Sequence, residues 1–299
     1  MPHIRIFSSL AKLNDTHDTL IDPIFKKYGG GASRFLVIRD ALVHYRDEGE
    51  GFPLVLIHGA FSSLHTFEDW AEFFKPYFRV IRYDFLGAGL TGDTPQNDYS
   101  IANQVKYLEL LLDRLGIEEC FLAGNSMGGW ISWEFAAVRQ QRVRKLVLID
   151  SAGFLDYGSV PLPFKMARTP FLGNVVRYVI RRNVLEQFVR EVYYDPYKVD
   201  DTLVDRYYEL FSREGNPEAF MRFVNGHFRD NTRRLRKLRT PTLILWGRED
   251  IWIPLEYGRR FHSMIPHNDF VVYDKVGHVP MEEIPGESAQ DTLDFLMAD

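Results

Sequence analysis

The sequence predicts an α/β fold in which a mostly parallel central sheet has helices on both faces and is interrupted by a helical insertion. Short apolar runs alternate with helical periodicity along the first half of the chain, as right-handed strand–helix–strand crossovers require. This alternation stops near residue 150 and resumes near residue 242, and the intervening residues show helical spacing without a convincing strand. The chain has 299 residues, of which 45% are hydrophobic, so it can form one large domain with an insertion.

The predicted organisation has three parts. Residues 1–33 form an N-terminal extension that ends in a run of glycines. Residues 34–150 and 240–299 form the core, and residues 151–239 form the insertion, which we interpret as a helical cap over the core. Amphipathic spacing in the extension predicts a helix that packs on the core, on a partner subunit or on a membrane surface, and of these we favour packing on protein. Its apolar positions are Leu10, Leu13, Leu20, Ile21, Ile24 and Phe25.

The first half of the core contains six predicted strands and three predicted helices. The run Pro53-Leu-Val-Leu-Ile-His58 is typical of a strand buried in a parallel sheet. Ser100 is placed to cap the start of a helix, and Gly116 is placed at the left-handed end of the same helix. The predicted strands cover 34–39, 41–46, 53–58, 79–83, 119–123 and 145–149, and the helices cover 67–74, 101–115 and 127–138.

The residues after the insertion complete the pattern, with strands predicted over 242–246 and 270–273 and helices over 255–265 and 288–297. The insertion itself differs in charge from the rest of the chain. It carries 16 Lys and Arg against 11 Asp and Glu, a net charge of +5, whereas the remainder has 20 against 30, a net charge of −10. A basic cap would attract anionic substrates, although ordinary solvated helix faces explain the same charge.

Composition excludes several classes of function. The formal net charge of −5 and a pI near 6 argue against nucleic-acid binding. The only cysteine, Cys120, lies in an apolar run, which predicts a buried thiol and a reducing, cytoplasmic setting. No run approaches the roughly 18 apolar residues of a membrane helix, and the N-terminus lacks the apolar region of a secretory signal. We therefore expect a cytoplasmic protein without a membrane span.

The segment from Gly124 to Gly128 has the pattern Gly-x-Ser-x-Gly between a predicted strand and a predicted helix. In that context the pattern has a mechanical basis, because a tight turn holds the serine above the sheet edge and leaves room only for small neighbours. Gly124, Gly128 and Gly129 supply those small residues. Ser126 is therefore the candidate nucleophile.

A serine hydroxyl needs a base, and the base needs a group that fixes its tautomer. His278 follows the last predicted strand, and Asp250 follows the strand before it. Because the carboxyl ends of parallel strands share one edge of the sheet, these side chains can converge on Ser126. Two other carboxylates compete with Asp250 for the role of acid: its neighbour Glu249, and Asp150 at the end of an earlier strand.

Two backbone N–H groups are placed to stabilise an oxyanion. One belongs to Met127, directly after the candidate nucleophile, and the other to Ala60 (or Phe61) in the loop after an early strand. His58 more readily braces this loop than takes part in chemistry. The remaining histidines show neither i,i+4 pairing nor a cluster with cysteine or carboxylates, so no metal site is predicted.

Five short segments together resemble the α/β-hydrolase superfamily from about residue 34 onward. The resemblance implies the fold, a cap at 151–239, the triad Ser126, Asp250 and His278, and no cofactor. The matching segments are Leu-Ile-His-Gly-Ala-Phe (56–61), Asp-Phe-Leu-Gly-Ala-Gly-Leu-Thr-Gly (84–92), Gly-Asn-Ser-Met-Gly-Gly (124–129), Trp-Gly-Arg-Glu-Asp (246–250) and Gly-His-Val-Pro-Met-Glu-Glu-Ile-Pro (277–285).

Departures from the patterns of individual branches narrow this resemblance. Haloalkane dehalogenases and epoxide hydrolases place Asp at the elbow, where this chain has Ser126. Proline iminopeptidases usually show His-Gly-Gly-Pro-Gly, where this chain has His-Gly-Ala-Phe-Ser (58–62). Meta-cleavage product hydrolases, which cut carbon–carbon bonds in vinylogous diketo acids, share the elbow but tend to have a Trp where this chain has Val279. The Val-Pro-Met-Glu-Glu run looks more like the esterase and lipase branch.

These features predict a serine hydrolase that cleaves carboxylic esters of small to medium, largely apolar substrates through an acyl-enzyme. One alternative is carbon–carbon bond hydrolysis of the meta-cleavage type, or lactone hydrolysis, with the same triad. In the carbon–carbon case the cap would supply an arginine for the substrate carboxylate, with Arg168, Arg177 and Arg190 as candidates. The other alternative is a non-hydrolytic ligand receptor on the same fold.

A small molecule is the expected partner, and a homodimer is compatible with the sequence. We expect Phe61, Asn125, Phe154 and Val279 to contact the substrate. Further aromatic residues of the cap line the same pocket or form the cap's own core, since both uses give helical spacing. These residues are Tyr157, Phe164, Phe171, Tyr178, Tyr193, Tyr194, Phe220 and Phe223.

Overall fold

The computed structural model describes residues 23–155 and 181–298. It contains one eight-stranded sheet in the order β1-β2-β4-β3-β5-β6-β7-β8, in which only β2 runs antiparallel to its neighbours. This confirms the predicted mostly parallel sheet. The strands are β1 (Ser33–Ile38), β2 (Ala41–Glu48), β3 (Pro53–Ile57), β4 (Arg79–Tyr83), β5 (Cys120–Asn125), β6 (Val143–Ile149), β7 (Thr242–Gly247) and β8 (Asn268–Tyr273).

Helices cover the sheet. Helix α4 packs on β5 and β6 and against α3, while α2 packs against α10, and α8 packs on β7 and β8. The helices are α1 (Pro23–Tyr28), α2 (Glu68–Phe74), α3 (Ile101–Arg114), α4 (Met127–Val138), α5 (Arg182–Val192), α6 (Asp201–Phe211), α7 (Asn216–Val224), α8 (Leu255–Met264), α9 (Pro280–Glu283) and α10 (Pro285–Met297). Strands β3, β5 and β7 read as near-continuous apolar runs because both of their faces are buried.

Helix α3 shows how local sequence fixes an element. Ser100 accepts a hydrogen bond from the backbone N–H of Asn103 at 3.3 Å, so it caps the helix as predicted. At the other end Gly116 has φ of +67°, which is the left-handed conformation that ends a helix. The buried face of α3 includes Leu108, Leu111 and other apolar residues, which gives the helix its amphipathic character.

Three helices, α5, α6 and α7, lie in the part of the insertion that the structure describes. No strand occurs within residues 181–239, as the proline-rich helical pattern predicts. The boundaries proposed for the extension, core and cap remain predictions. The first four apolar positions of the extension lie outside the described residues, whereas Ile24 and Phe25 lie on α1. The phenylalanine ring on α1 contacts Phe35 of β1, with centroids 5.5 Å apart.

Candidate active site

Ser126 lies in a tight turn between β5 and α4. Its backbone has φ of +54° and ψ of −117°, a conformation that a residue with a side chain rarely adopts. The neighbouring glycines allow this turn. A Cβ on Gly124 would lie 2.3 Å from the carbonyl oxygen of Gly128, and a Cβ on Gly128 would lie 2.1 Å from the carbonyl oxygen of Ile57. The turn therefore requires glycine at both positions.

His278 and Asp250 meet at the same sheet edge. The Nδ1 atom of His278 lies 2.6 Å from Oδ2 of Asp250, and both side chains are buried. The other oxygen of Asp250 accepts hydrogen bonds from the backbone N–H groups of Trp252 and Ile253 at 2.8 and 2.9 Å. With both oxygens engaged, the Asp250 carboxylate is fixed in orientation and can in turn hold the His278 ring. Ser126 and His278 line one cavity.

The two competing carboxylates occupy other positions. Glu249 accepts a hydrogen bond from the backbone N–H of Val276, so it supports the loop that carries His278 rather than its ring. Asp150 is fully buried, and it accepts a hydrogen bond from the backbone N–H of Gly247 at 2.9 Å. Burial, together with the negative charge of Asp250, holds the pKa of the Asp150 carboxyl well above its ordinary value. Asp150 is therefore a neutral acid beside a charged one.

Asp150, Asp250 and His278 each place one ligand atom within 4.8 Å of the others, which is a spacing that a metal ion could use. The hydrogen bonding favours a different reading. A neutral imidazole that donates its Nδ1 hydrogen to Asp250 has no lone pair on that atom for a metal. A protonated Asp150 is likewise a poor ligand. The three side chains therefore fit a hydrogen-bonded acid–imidazole arrangement better than a metal site.

The predicted oxyanion donors flank the elbow. Met127 is the first residue of α4, so its backbone N–H has no partner within the helix. The loop after β3 brings Ala60 close to the elbow, because Gly59 lacks a side chain. A Cβ on Gly59 would lie 2.8 Å from Oδ1 of Asn125 and 3.1 Å from Cβ of Ser126.

A buried polar group supports this loop from below. His58 is fully buried, its Nδ1 atom lies 2.8 Å from the carbonyl oxygen of Gly59, and its ring stacks on Phe85. Burial lowers the pKa of His58, so the ring is neutral.

Asp84 accepts a hydrogen bond from the backbone N–H of Leu64 at 2.7 Å. Although burial alone would raise it, the His44 ring, whose Nδ1 lies 2.7 Å from Oδ2 of Asp84, holds the pKa of Asp84 well below its ordinary value.

The residues predicted to contact substrate fall into two groups. Phe61, Asn125 and Val279 line the cavity that contains Ser126 and His278. The amide of Asn125 also donates to the carbonyl oxygen of His278 at 3.0 Å, so this side chain ties the elbow to the histidine loop.

Phe154 is not among the described residues that line that cavity. Its ring packs against Tyr257 and Phe261 of α8, and the Arg260 guanidinium lies 4.0 Å from the ring centroid. Of the other aromatic residues named in the cap, Phe220 and Phe223 line a neighbouring cavity, whereas Tyr194 is exposed. Tyr157, Phe164, Phe171 and Tyr178 lie outside the described residues.

Sequence reasoning missed the role of the two glutamates that follow the histidine. Glu283 accepts hydrogen bonds from the backbone N–H groups of Gly277, Tyr194 and Asp195 at 2.8, 3.1 and 2.9 Å. The backbone N–H of His278 donates to Val192 at the end of α5, at 2.7 Å. The Glu-Glu run that follows His278 in the sequence was the only hint of this role. Glu283 joins the histidine loop to the insertion.

Glu282 makes a second connection between the histidine loop and the insertion. It accepts hydrogen bonds from the hydroxyls of Tyr193, Tyr207 and Thr66. It also forms an ion pair with Arg206. Burial and the negative charge of Glu282 raise the pKa of Tyr193 well above its ordinary value. Tyr193 therefore stays a neutral donor to this carboxylate.

Comparison with known proteins agrees with this architecture. A profile of the family described as alpha/beta hydrolase fold matches residues 53–285. The uncharacterized hydrolase YugF of Bacillus subtilis (strain 168) is 27% identical over 254 residues, which cover 85% of this chain and 92% of that protein. A 2-hydroxy-6-oxononadienedioate/2-hydroxy-6-oxononatrienedioate hydrolase of Paraburkholderia phymatum is 31% identical, over 85% of this chain and 90% of that protein. A 2-hydroxymuconate semialdehyde hydrolase of Pseudomonas putida is 32% identical, over 78% and 82% respectively.

The fold is also shared with solved structures. That of Cfl2 from Burkholderia cenocepacia superposes with a TM-score of 0.79 at 22% identity, covering 88% of this chain and 95% of that one. Within the described residues, no helix is both long and apolar enough to cross a membrane. The profile spans most of the chain and includes Ser126, Asp250 and His278. The chain therefore belongs to the α/β-hydrolase fold family.

Proposed function

We propose that the protein is a serine hydrolase that cleaves carboxylic esters with apolar groups. The observation that supports this most directly is the cavity beside Ser126. No Asp, Glu, Lys or Arg occurs among the described residues that line it, and most of those residues are apolar, which suits a neutral substrate. Besides Ser126 and His278, the described lining residues are Gly59, Ala60, Phe61, Ser62, Asn125, Leu185, Phe188, Val189, Val192, Tyr207, Trp252 and Val279.

In the proposed reaction His278 takes the proton of the Ser126 hydroxyl as its oxygen attacks the ester carbonyl. Asp250 holds the ring and stabilises the imidazolium that forms. The backbone N–H groups of Met127 and Ala60 stabilise the developing oxyanion. His278 then protonates the leaving alkoxide, and a water molecule activated by the same ring hydrolyses the acyl-enzyme.

Carbon–carbon bond hydrolysis is the second candidate, and the relatives favour it. Two of those compared are named as hydrolases of 2-hydroxy-6-oxo acids or of 2-hydroxymuconate semialdehyde, which fits the meta-cleavage alternative better than ester hydrolysis. Such substrates carry a carboxylate that needs a cation. Arg190 is half exposed and pairs with Glu186 at 2.9 Å, away from the cavity lining. Arg168 and Arg177 lie outside the described residues.

Initial rates on 4-nitrophenyl esters from acetate to palmitate test the proposal, with a 2-hydroxy-6-oxo-dienoate assayed beside them. Ser126→Ala should lower ester turnover at least about 1000-fold, because it removes the nucleophile. Ser263→Ala is the matched control, since that serine is exposed on α8 and should leave the rates unchanged.

The outcomes separate the candidates. Ester turnover that depends on Ser126 and exceeds turnover of the dienoate supports an esterase. Faster cleavage of the dienoate, lost on Arg168→Ala or Arg177→Ala, would establish the carbon–carbon reaction instead. Absence of Ser126-dependent turnover on esters, lactones and the dienoate alike would contradict a hydrolase and favour a ligand receptor.

A further inference from the structure

A second cavity adjoins the one that contains His278. We call it the aromatic cavity, and it shares Ala60, Phe61 and Ser62 with the first. Phe61 stands between the two, and its ring contacts Phe211 and Phe220 at centroid distances of 4.9 and 4.4 Å. The described lining of the aromatic cavity also includes Phe85, Tyr99, Met127, Asn216 and Phe223.

The chemistry of ester hydrolysis assigns one substrate group to each cavity. The leaving alkoxide must reach His278 to receive its proton, so the alcohol group belongs in the cavity that His278 lines. Of the two predicted oxyanion donors, Ala60 lines both cavities, whereas Met127 lines only the aromatic one of the two. Because the alcohol group takes the cavity of His278, the aromatic cavity on the Met127 side is left for the acyl group.

Asn216 is the polar residue of the aromatic cavity whose hydrogen bonding is incomplete. It is fully buried at the start of α7, and its Nδ2 atom donates to the carbonyl oxygens of Gly89 and Leu210 at 3.0 and 2.7 Å. Because both partners are acceptors, the orientation of the amide is determined. Its Oδ1 atom has no hydrogen-bond partner within residues 23–155 and 181–298. A buried acceptor of this kind is destabilising unless a water or a ligand supplies a donor.

We propose that the aromatic cavity binds the acyl group of the substrate and that Asn216 accepts a hydrogen bond from a hydroxyl on that group. This inference rests on the proposed ester hydrolysis and names its substrate class: esters of hydroxylated, largely apolar or aromatic acids. The cavity's described lining contains no charged side chain, which favours a neutral donor. A substrate carboxylate in this position would face an acceptor and be repelled.

Paired substrates test the proposal. The pairs are 4-nitrophenyl esters of benzoic, phenylacetic and 3-phenylpropanoic acid, each with either a hydroxyl or a methyl group in the para position. The quantity measured is the ratio of kcat/KM for the hydroxyl ester to that for the methyl ester. For the ester whose length reaches Asn216, Asn216→Ala should lower this ratio roughly 5- to 10-fold, the effect of one neutral hydrogen bond.

The ratio guards against a folding artefact. Asn216→Ala also removes two hydrogen bonds to backbone carbonyls, and a smaller amount of folded enzyme would lower both rates equally. Asn225→Ala is the matched control, because that amide is exposed just after the same helix and does not line the cavity. An unchanged ratio in Asn216→Ala for all three acids would overturn the proposal and leave an ordered water as the partner of Asn216.

Failure of the proposed function is distinguishable from failure of this inference. If no ester is hydrolysed, binding of 4-ethylphenol and of 4-ethyltoluene to the full chain is measured by calorimetry. A preference for the phenol that Asn216→Ala reduces by the same factor supports the cavity assignment without any turnover. Equal binding of the phenol to the wild type and to Asn216→Ala overturns it.

Discussion

Burial and charge act in the same direction at Asp150. The side chain has no exposed surface, its neighbour Asp250 is also buried, and both effects favour the protonated form. In that form Asp150 places no second negative charge beside Asp250, whose carboxylate holds His278. The titratable groups near Asp150 are Asp250, His278, Glu283 and Tyr273.

Asp150→Asn should change how stability depends on pH. The unfolded chain loses the Asp150 proton near pH 4, whereas the folded protein keeps it, so the wild type loses stability as pH rises above that value. The amide cannot ionise. The free energy of unfolding of the variant minus that of the wild type should therefore increase by up to about 1.4 kcal/mol per pH unit. Urea unfolding at pH 5, 6 and 7 measures this difference.

The control for this measurement is Asp269→Asn, which removes an exposed carboxylate from β8. Its difference from the wild type should stay nearly constant over the same pH range. A flat difference for Asp150→Asn as well would show that Asp150 is ionised in the folded protein.

Asp250→Asn should lower kcat by about 10⁴-fold, because an amide donating to His278 would select the wrong tautomer of the ring. Glu249→Gln is the matched control, because the Glu249 carboxylate accepts a hydrogen bond from the backbone N–H of Val276 in the histidine loop and not from the His278 ring. It should lower kcat less than about 10-fold. Comparable losses in both variants, measured on the preferred ester, would contradict the assignment of Asp250 as the acid.

Two elements carry the His278 loop, and they come from distant parts of the chain. Strand β8 leads into the loop, while the end of α5 supplies Val192 as a hydrogen-bond acceptor. The Glu283 carboxylate also links the loop to the end of α5, because it accepts hydrogen bonds from three backbone N–H groups, one in the loop and two that follow α5. A Cβ on Gly277 would lie 2.4 Å from the carbonyl oxygen of Val192, so only glycine permits this close approach.

Glu283→Gln should lower the free energy of unfolding by about 1–3 kcal/mol, because an amide has one acceptor oxygen and leaves at least one of these three N–H groups without an acceptor. It should also lower kcat, since Gly277 precedes His278. Glu287→Gln, an exposed change on α10, is the control. Chemical denaturation and ester assays on both variants provide the readouts. Wild-type stability in Glu283→Gln would contradict this role.

Local pattern predicts the elements better than it predicts their contacts. The start of α3 at Ser100 and the elbow at Ser126 follow from signals within a few residues, so the sequence reveals them directly. The short helix α9 is absent from the sequence prediction, because four residues carry too little periodicity. The environments of Asp150 and Asn216 depend on neighbours from other strands and helices, which the sequence does not place.

At the scale of the whole molecule, the sheet determines which groups solvent can reach. Strand β5 lies between β3 and β6, so its first residue, Cys120, has no exposed surface. Its Sγ atom contacts the carbonyl oxygen of Arg142 at 3.6 Å. Burial raises the pKa of the Cys120 thiol to about 12. The thiolate that reacts with disulfide reagents is therefore scarce in the folded protein.

Cys120 should report global unfolding. In native buffer at neutral pH, Ellman's reagent should label no thiol on the timescale of minutes, whereas in concentrated urea it should label one per chain. The reagent reaches the thiol only after β5 is exposed, so the labelling rate at intermediate urea should follow the unfolded population. Rapid labelling in native buffer would show that the sheet opens locally at β5.

The hydrogen bond from His278 to Val192 has a consequence for protein engineering. The histidine loop is fitted to the insertion of its own chain. A chimaera that receives only the insertion of a relative therefore keeps a histidine loop that is fitted to the original insertion. A graft that also carries residues 276–283 preserves the junction. Residues 276–283 therefore belong with the predicted insertion in any exchange between relatives, although they lie in the predicted core.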